Sequence, residues 1–177
     1  MQGTIFHRRL GGLPLLAQSS GLFAAVYYYV FLRIRPELFY QQKPDVFLLE
    51  SHFFREMATH PGGVVDYLAA FLSPLLAWDW LGALVVTLLV ALVCWATRRL
   101  LAAVAGAAEE VVYLLPAIFI LMVAGQYIHP VQLCVGLSIT LLTANLYARL
   151  GGYRVGVRLA AFAIASLAIY FVTAGLY

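Results

Sequence analysis

The residues with chemistry within reach cluster in one stretch, DVFLLESHFFREMATH, residues 45–60. On a helical wheel of 45–59, Glu50 falls between Val46, Phe53, Phe54 and Met57. A carboxylate on an apolar face must be paired, protonated or functional, because an unpaired charge there is costly. Two readings follow: an ion pair with Arg33, Arg35 or Lys43, or a binding carboxylate or general base at a membrane surface. Glu37, directly after Pro36, poses the same choice between a pair with Arg33 or Arg35 and a second candidate base.

His52, Glu56 and His60 recur at four-residue steps, which places them along one side of a helix. Two imidazoles and a carboxylate are common metal ligands. A metal-binding helix uses histidines on adjacent turns, whereas these are two turns apart and Pro61 frays the helix beside His60. The expectation is a polar binding face without a metal, which His129 from another loop can join in space.

These residues sit in a long loop, 33–79, that must position them. Within it, Val46, Leu49, Phe53 and Met57 recur at helical spacing opposite Ser51, His52, Arg55 and Thr59. This predicts an amphipathic helix over 45–59, lying along a membrane interface. A second helix is expected from about Val64 to Ala77, too short to span and therefore interfacial, re-entrant or packed beneath the loop. Between them, HPGG reads as a helix start. Pro61 drives His60 out of helical geometry, the glycines allow unusual backbone angles, and Gly63 as N-cap would put Asp66 at N3. An acidic group there suits the positive helix end and opposes a bound anion, so Asp66 is assigned to structure.

The rest of the chain is apolar. Of 177 residues 64% are hydrophobic and 11% charged, with mean hydropathy +0.92, well below the ~25% charge of soluble domains. Runs this long, without alternation, indicate an all-α polytopic transmembrane bundle rather than a barrel. A net charge of +3 divided among loops excludes nucleic acid as a partner. About five spans are expected, at 12–32, 80–97, 111–128, 131–147 and 159–177, with Pro116 inside the third. The first resembles a signal peptide, but its apolar run through YYYVFL exceeds a ~7–15 residue h-region, so an uncleaved anchor is expected.

Arg8, Arg9, Arg98, Arg99, Arg149, Arg154 and Arg158 fall on one side and the 33–79 loop on the other. The short basic loops place the N-terminus in the cytoplasm and that long loop outside. Cys94 and Cys134 lie toward opposite ends of their spans, too far apart for a disulfide, and are expected as free thiols. No span carries a charge at its middle, which disfavours an ion pump or proton-coupled carrier. Asp79 is expected to cap the second span, Ala161, Ala165 and Ala168 to face another helix, and Gln132, Asn145 and the Ser/Thr residues of the fourth span to bond between helices.

Pro61, Gly62, Gly63 and Tyr67, followed by Trp80, Leu81 and Gly82, resemble an uncharacterised family of bacterial integral-membrane proteins over roughly residues 20 to 100. The resemblance implies no activity. Its members are longer, so the ending TAGLY fits the N-terminal part of a longer protein as well as a chain ending in its last span. A looser, architectural likeness joins one span, a long outer loop with two membrane-lying helices, and further spans. This is similar to the GT-C glycosyltransferases, and implies a polyprenyl-phosphate sugar as donor and an acidic loop residue, Glu37 or Glu50, as base. The paired-acid motif of that superfamily is missing after the first span.

The expected molecule is one inner-membrane domain, 1–177, with the lipid bilayer as its surroundings. Its function is either a GT-C-like action on a lipid-linked sugar or a non-catalytic scaffold that docks other membrane subunits. No cofactor is specified by the residues.

Overall fold

The computed structural model describes residues 12–36, 51–105, 112–125 and 130–173, and the fold there is all-α. The elements are α1 (Gly12–Tyr29), α2 (Ser51–Ala58), α3 (Gly63–Leu76), α4 (Asp79–Ala105), α5 (Leu115–Ala124), α6 (Pro130–Ala148) and α7 (Val155–Thr173). Three stretches, Asp79–Val104, Val131–Gly152 and Val155–Thr173, are helical, long and apolar enough to cross a membrane. The described apolar stretches Ser20–Ile34 and Val112–Ala124 are shorter.

α4 is the central helix, in contact with α1, α3, α5 and α6. Val86, Val90, Val93 and Cys94 are buried on it, and Val131, Cys134 and Val135 on α6 complete the core. Both cysteines are buried and free, as their positions in the sequence require. Small and β-branched residues let α4 and α6 approach closely, the usual solution where lipid removes the hydrophobic drive between helices. Asn145 locks the pair: its Nδ2 donates to the Ala96 carbonyl on α4 at 2.9 Å and to its own Leu141 carbonyl at 2.8 Å.

Several expectations shift. Ser138, Thr140 and Thr143 do not bond between helices; each hydroxyl donates to the carbonyl four residues back in α6. The helix α4 continues past Arg98 and Arg99 to Ala105, and the two side chains lie against rings: Arg99 is 4.5 Å from the Trp95 ring centre and Arg98 5.6 Å from that of Tyr113. Pro116 lies in the first turn of α5, where its missing N–H costs nothing. Asp79 is already helical, and its buried Oδ1 has no hydrogen-bond partner among the described residues, so it does not act as a cap. On α7 the stripe turned toward the bundle holds Arg158, Ala161, Ala165, Ile169 and Val172, while Ala168 is exposed.

α1 ends in a π-helical turn, Val30–Ile34, closed by Arg35 at φ 51°. There Pro36 is buried against Gly82 at the start of α4. A Cβ on Gly82 would stand 2.5 Å from the Pro36 Cβ and 3.2 Å from the Leu76 Cα. Gly82 thus permits a crossing of three segments at one end of the bundle.

Candidate functional site

At that same end α2 and α3 form a helical hairpin. α3 buries Val65, Ala69, Ala70, Ser73 and Leu76 on one face, against α4, α6 and α7. This face seats α3 on the bundle. Phe54 on α2 meets Tyr67 on α3 edge to face, ring centres 4.9 Å apart, and this contact braces the hairpin.

The turn between them is built by the two glycines. Gly62 is the N-cap of α3 at φ 87°, a left-handed conformation that glycine adopts without penalty, and its carbonyl accepts from the Val65 and Asp66 N–H groups. A Cβ on Gly63 would fall on the carbonyl oxygen of Met57. The cap is therefore one residue earlier than the sequence suggests, and Asp66 lies a position deeper in the first turn. The Gly62 N–H donates to the Phe171 carbonyl at 2.7 Å, in the last described turn of α7. The Pro-Gly-Gly turn thus starts one helix and ties it to another.

This turn opens a cleft of about 290 Å³ between the helices, lined by Glu56, Met57, His60, Gly63 and Asp66. Thr59 holds its near wall: its Oγ1 donates to the Glu56 carbonyl at 2.6 Å and lies 3.4 Å from His60 Nδ1. His52 Nδ1 is 3.9 Å from Glu56 Oε2, with the side chains 86% and 68% exposed. Such an exposed pair contributes little to stability, at most ~1 kcal/mol.

His52, Glu56 and His60 do not line one helix, because α2 ends at Ala58 and His60 belongs to the turn. The turn nonetheless brings His60 and Glu56 to the same cleft and adds Asp66 from the opposite wall. Asp66, assigned to structure from the sequence, proves to line the site. Its signal was the reversal at Pro-Gly-Gly, which folds the first turn of α3 back over the last turn of α2. Among the described residues, no three His, Cys, Asp or Glu side chains are grouped to hold a metal ion. Glu37, Glu50 and His129 lie outside the described residues.

Chemically, the cleft offers two carboxylates that accept hydrogen bonds and an imidazole able to donate or accept. That set suits a ligand bearing hydroxyl or amino groups, with proton transfer within its range.

Residues 13–177 match a family of unknown function (DUF6057), and the chain belongs to it. The match extends the resemblance carried by Pro61–Gly63 and Trp80–Gly82 over nearly the whole chain. No curated protein and no solved structure matches the chain.

Proposed function

We propose that this is a multi-pass inner-membrane domain that binds a lipid-linked sugar at its outer face, with the cleft between α2 and α3 as the recognition site. The observation that carries the reading is that Glu56, His60 and Asp66 line one cleft beside the long apolar helices. Carboxylates and an imidazole recognise sugar hydroxyls, and an apolar bundle beside them suits a polyprenyl tail. In a transfer step of the GT-C kind, a loop carboxylate takes the proton of the acceptor hydroxyl. The acceptor oxygen bonds to the anomeric carbon, and the polyprenyl phosphate departs with the bonding pair. Glu37 and Glu50 are the proposed bases, and the cleft orients the sugar.

The test is native mass spectrometry of the protein extracted with its own lipids. Retention of a polyprenyl phosphate or its glycoside, lost in Glu56→Gln/Asp66→Asn, supports the reading; bulk phospholipid alone overturns it. A second reading, a non-catalytic subunit, is favoured by α7, on which no residue is buried. A stoichiometric protein partner released by substitutions on α7, with the cleft variants silent, would select it.

A further inference from the structure

The end of the bundle opposite the cleft gathers charge of one sign. α4 and α6 run parallel and are tied near their C-termini by Asn145 to Ala96, while Tyr147 of α6 meets Phe162 of α7 with ring centres 5.9 Å apart. These contacts bring the end of α4, the end of α6 and the start of α7 together. Arg98, Arg99, Arg149, Arg154 and Arg158 lie there. The described carboxylates, Glu56, Asp66 and Asp79, are all at the other end. Among the described residues none of the five guanidinium groups has an ion pair or a side-chain hydrogen bond. Glu109 and Glu110, in the connection from α4 to α5, lie outside the described residues and are too few to balance five cations.

Two of these arginines are also pre-positioned. Arg99 lies over Trp95 and Arg98 over Tyr113, and a ring under a guanidinium holds its plane while the N–H edges remain able to donate. Planar forks held in this way match phosphate oxygens two at a time. Arg158 stands half-buried on the inner stripe of α7, one turn from its start, with Arg154 just before the helix. Trp95 is exposed beside Arg99, and apolar side chains of α7 such as Leu159 and Phe162 are exposed on the helix that carries Arg158, surfaces for acyl chains next to surfaces for phosphate.

The geometry points to a binding site for an anionic phospholipid headgroup at this end, formed by the C-terminal part of α4 and the N-terminal part of α7, which α6 links. A headgroup with two phosphates uses the arrangement most fully, because the Arg98/Arg99 and Arg154/Arg158 pairs come from separate helices. The site is independent of the cleft and of the function proposed for it.

The experiment is native mass spectrometry of the full chain released from vesicles of equal parts phosphatidylcholine and cardiolipin. Cardiolipin should be retained over phosphatidylcholine, less so as ionic strength rises. Arg98→Gln/Arg99→Gln and Arg154→Gln/Arg158→Gln should each lower the enrichment roughly tenfold, and Arg98→Lys/Arg99→Lys should lose a clear part of it, since an ammonium keeps the charge but not the planar fork. Arg55→Gln, at the other end, should leave it unchanged. Absence of enrichment in the wild type, indifference to both glutamine pairs, or an equal loss with Arg55→Gln would overturn the site. Displacement of the lipid by inorganic pyrophosphate would overturn the lipid assignment, making the source a soluble phosphate. If the glutamine pairs do not fold, the wild-type salt dependence and the lysine pair still decide.

Discussion

At the residue scale the glycines divide the work of the Pro-Gly-Gly turn. Gly62 needs a left-handed backbone, and Gly63 needs the absence of a Cβ. Gly62→Ala should cost about 1–2 kcal/mol, the penalty of a left-handed L-residue. Gly63→Ala should cost more, since its Cβ meets the Met57 backbone and only separation of α2 from α3 relieves it. Thermal unfolding in detergent ranks them, and equal losses would contradict this division. A second comparison concerns polar residues of α6. Asn145→Leu removes the bond to Ala96 and should cost ~0.6 kcal/mol, up to ~1.7, the range for polar contacts between membrane helices. Ser138→Ala should cost less, because its hydroxyl serves only its own helix. The sequence contains both residues but gives no sign of which one crosses. Back-bonding to the carbonyl four residues earlier is open to any helical serine, whereas crossing requires the neighbour's register.

At the element scale, α7 is the clearest sign of the solvent this fold expects. Leu159, Phe162, Ile164, Leu167 and Tyr170 are all exposed on a helix with no buried residue. Water would not tolerate such a surface, and acyl chains would. Leu167→Arg should therefore impair insertion by roughly 2.5–3.5 kcal/mol, read as the inserted fraction in a translocation assay. Leu167→Ala should change the thermal stability of the chain by itself little, since no described residue buries it. The helical elements were legible because apolar runs of this length have few alternatives. The boundaries were less so. Arg98 and Arg99 look like a stop but rest on Trp95 and Tyr113 while α4 continues to Ala105. The site was half legible for a related reason: Glu56 and His60 announce themselves by spacing, whereas Asp66 arrives only through the hairpin. Spacing along one helix reveals neighbours on that helix, and a reversing turn creates neighbours that no single period encodes.

At the scale of the whole molecule, the fold is polarised. The cleft and every described carboxylate occupy one end, and five arginines occupy the other. Positive charge in short loops marks the cytoplasmic side, so the arginine end should face inward and the cleft outward. Single-cysteine labelling with a membrane-impermeant maleimide tests this without removing the native thiols, because Cys94 and Cys134 are buried and should stay unlabelled. Thr59→Cys, in the exposed turn beside the cleft, should react in intact spheroplasts. Arg149→Cys, at the end of α6, should react only after lysis. The reverse pattern would invert the orientation and move the proposed cleft chemistry to the cytoplasm, where the GT-C reading fails. Reaction of both cysteines in intact spheroplasts would mean that the two ends share one compartment, and the three long helices would then not span the membrane.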